Sequence, residues 1–233
     1  MNVGIILASG IGKRMGLGKN KVFLRLKNKP LVYYALESFE KCKDIDKILI
    51  VTRKEEIGIA CQLAKKYKLR KIMAAIEGGT ERQFSAFNAV LFLKNILQDK
   101  SGSIIAFHNG ANPFVTPEEI SETFLNAKKY GASAIAYPTK DTIKEADKNG
   151  IVQKTLDRSK LWNMQTPQTI QFPLALKAFT KASKENFLGT DDVSLVERLG
   201  KKVKLIQGSQ YNFKITTPID LELAKIIIKS FKI

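Results

Sequence analysis

Short apolar runs alternate with longer amphipathic stretches along most of the chain. The apolar runs predict strands at residues 3–8, 47–52, 71–75, 103–107, 132–137 and 202–207. Most are nearly unbroken, as in strands covered on both faces. Helical spacing of apolar residues predicts helices at 31–42, 54–67, 81–97, 117–130, 173–183, 192–199 and 218–230. Start signals support three of them. Thr116-Pro117-Glu118-Glu119 combines a capping threonine, a first-turn proline and two acids, Thr217-Pro218-Ile219-Asp220 repeats the arrangement, and Thr190-Asp191-Asp192 is a third cap. Such alternation predicts an α/β fold, a mostly parallel twisted sheet with helices on both faces. Ligands of such sheets sit beyond the carboxyl ends of the strands. That edge would carry the segment after residue 8 and the loops at 77–80 and 108–113.

One region breaks the rhythm. Residues 139–170 lack a helical period, and Asp147-Lys148-Asn149-Gly150 is a turn signal between two polar, strand-like segments. This predicts a projecting β-hairpin arm on a single domain spanning 1–233. Leu156, Leu161 and Trp162 give the arm little core of its own. It gains stability against a second subunit, so a homodimer through the arm is expected.

Composition narrows the possibilities. A length of 233 residues suits one sizeable domain. No apolar run approaches the ~18 residues that span a bilayer, so no membrane partner is expected. The first residues read as a strand rather than a leader. Cys42 and Cys61 are too few for a disulfide framework, which suits a cytoplasmic protein with reduced thiols. The net charge of +17 suggests a polyanionic or phosphorylated partner. The excess is mostly lysine, spread along the chain, with only seven arginines. Base readout favours clustered arginine and exposed aromatics, so nucleic acid is not the expected partner.

The charge acquires a purpose near the amino terminus. The first strand runs into Ala8-Ser9-Gly10-Ile11-Gly12-Lys13-Arg14-Met15-Gly16-Leu17-Gly18-Lys19-Asn20-Lys21, which is rich in glycine and cations and has no acid. Glycines let backbone N–H groups approach an anion closely, and Lys13, Arg14, Lys19 and Lys21 supply charge to phosphates. The spacing fits neither a Walker loop nor a dinucleotide fingerprint. By itself the pattern fits a plain surface turn equally well.

Six segments in register change that balance. They are 8–21; Glu77-Gly78-Gly79-Thr80-Glu81-Arg82 with Ser85; 108–113; Lys140-Asp141-Thr142-Ile143-Lys144; Asp157-Arg158-Ser159-Lys160-Leu161-Trp162 through Gln165-Thr166-Pro167-Gln168; and Gly189-Thr190-Asp191 with 212–218. Together the chain resembles the cytidylyltransferases that act on sugar-alcohol phosphates. The methylerythritol 4-phosphate branch of non-mevalonate isoprenoid synthesis fits best, and the ribitol 5-phosphate branch is the near relative. The resemblance implies a Rossmann-like fold and a homodimer whose arms exchange. It implies transfer of a cytidylyl group from CTP to a polyol phosphate with release of pyrophosphate, assisted by Mg2+. It assigns Arg14 and Lys21 to the CTP phosphates and Lys214 to the α-phosphate. Ala8, Ser9, Gly10, Gly12, Gly79, Thr80 and Ser85 become nucleotide-binding residues. Asn109, Asn112, Thr142, Arg158, Thr166, Thr190 and Thr216 become acceptor-binding residues, with Arg158 reaching into the neighbouring subunit's site.

One loop departs from the family pattern, which reads His-Asp-Ala-Ala-Arg-Pro. Here it is His108-Asn109-Gly110-Ala111-Asn112-Pro113. Asn109, at the family's metal-associated aspartate, keeps one acceptor oxygen without its charge. Asn112 replaces an arginine. Three readings follow: a slower enzyme of the same activity, a different acceptor such as ribitol 5-phosphate, or a nucleotide-binding homologue without turnover. His108, the single histidine, is expected to orient the loop rather than move a proton.

Overall fold

The structure, a computed structural model, describes residues 1–10, 12 and 20–230. Its strands are β1 (Asn2–Leu7), β2 (Arg25–Leu26), β3 (Lys29–Pro30), β4 (Lys47–Thr52), β5 (Ile72–Glu77), β6 (Ile104–Asn109), β7 (Ala132–Pro138), β8 (Lys144–Ala146), β9 (Val152–Thr155), β10 (Trp162–Gln171) and β11 (Lys204–Gln207). Its α-helices are α1 (Leu31–Lys41), α2 (Ile57–Lys66), α3 (Arg82–Ile96), α4 (Pro117–Tyr130), α5 (Phe172–Lys184), α6 (Asp192–Glu197) and α7 (Pro218–Ser230).

Seven strands form one sheet in the order β11-β7-β10-β6-β1-β4-β5. All adjacent pairs are parallel except those made by β10, which is antiparallel to both β6 and β7. Alternate residues of the buried strands feed two cores. Ile6, Ile48 and Ile50 pack with α1, α4 and α7 on one face, while Val3, Ile5, Leu49 and Phe107 pack with α3, α5 and α6 on the other. The expected α/β class and mostly parallel sheet are therefore present. Because β1, β4, β5 and β6 run together, Leu7, Thr52, Glu77 and Asn109 end at one edge.

The region 139–170 divides differently from expectation. The hairpin exists: β8 and β9 pair around Asp147, whose Oδ1 accepts from the backbone N–H groups of Asn149 at 2.9 Å and Ile151 at 3.0 Å. Both strands are fully on the surface, as are Ile143, Ile151 and Val152. Residues 162–170, however, belong to β10, which lies inside the sheet. Proline and a run of Gln and Thr hide this strand from pattern reading. The polar side chains are tolerated inside because they are partnered: Thr169 Oγ1 donates to Thr123 Oγ1 at 2.7 Å, and Gln168 Oε1 accepts from the N–H groups of Asp192 and Val193 at 2.8 and 3.1 Å. A register irregularity between Met164 and Gln168 accommodates Pro167.

Candidate active site

Two cavities open at the carboxyl edge of the sheet. The first, about 410 Å3, is lined by Ser9, Gly10, Gly12, Lys21, Gly79, Thr80, Asn109, Lys214 and Thr216, among others. The second, about 430 Å3, is lined by Asn109, Asn112, Thr166, Thr190 and Lys214, with Tyr137, Gln165 and Asp191 nearby. Arg82, Asn109 and Lys214 belong to both walls, so the cavities meet at these three residues. Residues from both ends of the sequence thus converge, as the fold class requires.

The first cavity is tightly built. Ser85 Oγ accepts from the Gly79 N–H at 3.0 Å and lies 2.9 Å from Ser9 Oγ, tying the loop after β5 to the segment after β1. Ser85 is buried and supports the wall from behind, as does Ala8, whose N–H donates to the Val51 carbonyl at 2.7 Å. Gly78 and Gly79 are required by close approach. A Cβ on Gly79 would lie 2.4 Å from Phe84 Cβ, and one on Gly78 would lie 2.8 Å from Ser85 Oγ. The segment that carries Lys214 is organised by Asp220, whose Oδ2 accepts from the N–H groups of Thr216 and Thr217, each at 2.7 Å. Burial opposes the Asp220 charge, yet those hydrogen bonds and the nearby Lys21 ammonium hold its carboxyl below the usual range. Lys21 and the segment carrying Lys214 are thereby linked through one carboxylate.

Between the cavities lies a hydrogen-bond relay that sequence reasoning missed. Arg82 grips Asp192 with two bonds of 2.9 and 2.6 Å and donates from Nε to Asn109 Oδ1 at 3.0 Å. Burial disfavours the guanidinium charge, but Asp192 outweighs it and raises the pKa further. Asn109 Nδ2 donates to Asn112 Oδ1 at 3.3 Å, and Asn112 Nδ2 donates to the Asn212 carbonyl at 3.0 Å. Asn112 is only 2% exposed, with its amide turned into this scaffold. Arg82 stood in the sequence as the last residue of the Glu77–Arg82 segment, with nothing there to pair it with Asp192.

His108 is fully buried. A carbonyl can only accept, so Nε2–H donates to the Asn112 carbonyl at 3.0 Å. Nδ1 then accepts from Thr166 Oγ1 at 2.9 Å, and Thr166 Oγ1 accepts from the Asn109 N–H at 3.3 Å. Burial pushes the imidazole pKa down to about 4. A neutral ring with both nitrogens committed fits the expected orienting role.

Among the described residues no group of three or more His, Cys, Asp or Glu side chains is placed to hold a metal ion. Asn109, the expected metal position, offers a neutral oxygen already engaged by Arg82. These residues do not fit a divalent ion held by the protein alone. Arg14 lies outside the described residues. Thr142 and Arg158 are on the exposed arm and line neither cavity of their own chain, and Arg158 Nη1 donates to the Lys140 carbonyl at 3.3 Å.

A Rossmann-like α/β sheet with a cationic, glycine-walled cleft at its carboxyl edge is the architecture of a nucleotide-handling protein. A family model described as IspD, 2-C-methyl-D-erythritol 4-phosphate cytidylyltransferase, matches residues 2–230. The chain belongs to this family of nucleotidyltransferases. It is 44% identical over 221 residues to the 2-C-methyl-D-erythritol 4-phosphate cytidylyltransferase of Bacillus mycoides, covering 95% of each. It is 43% identical over 232 residues to that of Caldanaerobacter subterraneus, covering 98% of this chain and all of the relative. Among solved structures, 4-diphosphocytidyl-2C-methyl-D-erythritol synthase from Anaerococcus prevotii superposes with a TM-score of 0.84 at 28% identity over 98% of both chains.

Proposed function

We propose that this chain transfers the cytidylyl group of CTP to 2-C-methyl-D-erythritol 4-phosphate, releasing pyrophosphate, in isoprenoid synthesis. The observation that carries this reading is the convergence of Lys21 and Lys214 on one cleft that adjoins a second polar cavity through Lys214. In this reading the triphosphate occupies the first cavity and the acceptor phosphate the second. A phosphate oxygen of the acceptor gives its electron pair to the α-phosphorus. The bond from that phosphorus to the α–β bridging oxygen breaks, and pyrophosphate leaves with the pair. The attacking phosphate is already anionic, so no general base is needed. Catalysis then consists of alignment and charge neutralisation.

Arg14 and Lys21 hold the β- and γ-phosphates, and Lys214 meets the charge that grows at the α-phosphate. Ser9, Gly10 and Gly12 approach the phosphates, while Gly79 and Thr80, backed by Ser85 and Ala8, read the base. Thr166 and Thr190 surround the acceptor with Asn109, Asn112 serves by holding this wall, and Thr216, which lines the first cavity, meets the acceptor only from the side of the triphosphate. Thr142 and Arg158 come from the partner's arm in a homodimer. A divalent ion such as Mg2+, if bound, would take its ligands from the nucleotide and would offset phosphate charge there, since Asn109 is engaged by Arg82. A cytoplasmic setting suits the thiols of buried Cys42 and exposed Cys61. No helix among the described residues is long and apolar enough to cross a membrane.

The test is pyrophosphate release from CTP or UTP against methylerythritol 4-phosphate and ribitol 5-phosphate. Release with CTP and methylerythritol 4-phosphate supports the reading. Release only with ribitol 5-phosphate redirects the acceptor assignment, and CTP binding without release from either acceptor contradicts catalysis.

A further inference from the structure

Asn20 and Glu56 lie beneath the cleft and are 3% and 4% exposed. Neither lines a cavity at the carboxyl edge, and the reaction gives neither a role. Their contacts nonetheless converge on the segment that delivers Lys21. Asn20 Nδ2 donates to the Ala8 carbonyl at 2.6 Å and to Glu56 Oε2 at 2.7 Å. Its Oδ1 accepts from the Val22 N–H at 3.3 Å, capping the single helical turn Lys21–Phe23. Ala8 and Asn20 are the two ends of the glycine-rich segment, so one amide joins them. Ala8 is itself bonded to β4 through Val51, and Glu56 Oε2 also accepts from Thr52 Oγ1 at 2.9 Å at the end of β4. Arg53 donates to the other Glu56 oxygen. The clamp is therefore anchored at the carboxyl ends of the adjacent strands β1 and β4.

We propose that Asn20 and Glu56 are positioning residues that join the ends of the glycine-rich segment and so aim Lys21 at the nucleotide. This rests on the reading of Lys21 as a phosphate-binding cation. The residue types follow from the geometry. An amide donates from one atom and accepts at the other, which neither aspartate nor alanine can do. A carboxylate accepts from all three donors, whereas an apolar residue would leave the Asn20 and Thr52 donors buried and unmatched. Burial opposes the Glu56 charge, but the donors from Arg53, Asn20 and Thr52 lower its pKa, so the ionised form is the one held.

The experiment titrates CTP into the full-length chain by calorimetry, with thermal unfolding measured in parallel. The variants are Asn20→Asp, Glu56→Gln, Glu56→Ala, Lys21→Met and the pair Asn20→Asp with Lys21→Met. Losing the shared amide donor weakens CTP binding by about 10- to 100-fold in Asn20→Asp, the range of one to two buried hydrogen bonds. Glu56→Gln keeps an oxygen for Asn20 and Thr52 and binds more tightly than Glu56→Ala. In the Lys21→Met background Asn20→Asp causes only a small further loss, because the clamp acts through Lys21. If Asn20→Asp does not fold, Asn20→Ala takes its place in the same comparison. A folded Asn20 variant that binds CTP like wild type overturns the clamp, and so does an equal loss in both backgrounds. Lys21→Met binding CTP like wild type overturns instead the reading of Lys21 on which the clamp's purpose rests.

Discussion

At the scale of single residues, the buried polar groups near the cleft are fixed by what they donate and accept. His108 shows how this reaches stability. Its folded pKa of about 4 lies below the unfolded value of 6.5. Between those values the unfolded chain binds more protons, so stability falls as pH falls through that window. The loss is about 1 kcal/mol between roughly pH 7.5 and 5.5. Urea unfolding at the two pH values measures it, and a folded His108→Gln variant loses this part of the slope. Asn112 makes a second case. Asn112→Ala removes a buried donor from the Asn212 carbonyl and a partner from Asn109, which costs about 1–2 kcal/mol. Because Asn212 lies two residues before Lys214, kcat falls several-fold with it. Unchanged stability and turnover in this variant would mean that its amide supports neither.

At the scale of elements, Arg82 at the start of α3 joins α6 to the end of β6. Removing it leaves Asp192 buried at 1% exposure and without its charge partner. The Arg82 side chain is 30% exposed, so the loss for Arg82→Ala sits at the low end for buried pairs, about 3 kcal/mol. Equilibrium urea unfolding checks it, and a loss below about 1 kcal/mol would class the pair with surface bridges. The elements also show what pattern reading reaches. Helix α4 and strand β4 have the bounds expected from their residues, since a capping box starts α4 and apolar side chains fill β4. Strand β10 stayed hidden because its interior is glutamine and threonine, whose burial depends on partners elsewhere in the chain. The glycine-rich segment's own residues left a phosphate-binding loop and a plain turn equally open, and only its register with five other segments favoured the first. Arg82 with Asp192, Asn20 with Glu56 and Asp220 near Lys21 were not legible, because these contacts join residues 110, 36 and about 200 positions apart.

At the scale of the whole molecule, the exposed arm carries Thr142 and Arg158 away from the cleft of its own chain. If these residues complete a partner's site, each site takes Lys214 from one subunit and Arg158 from the other. Arg158→Ala and Lys214→Ala chains would then each be inactive. Mixed by unfolding and refolding in equal amounts, they would recover roughly a quarter of wild-type activity, because half the dimers carry one complete site. No recovery in folded, mixed dimers would confine each site to one chain. The most direct measurement follows pyrophosphate release from CTP in the presence of 2-C-methyl-D-erythritol 4-phosphate, comparing wild type with folded Lys214→Ala. Wild type releasing pyrophosphate only when the acceptor is present, with at least ~100-fold slower release in the variant, is the expected result. Undiminished release by the variant would contradict the role of Lys214 at the α-phosphate.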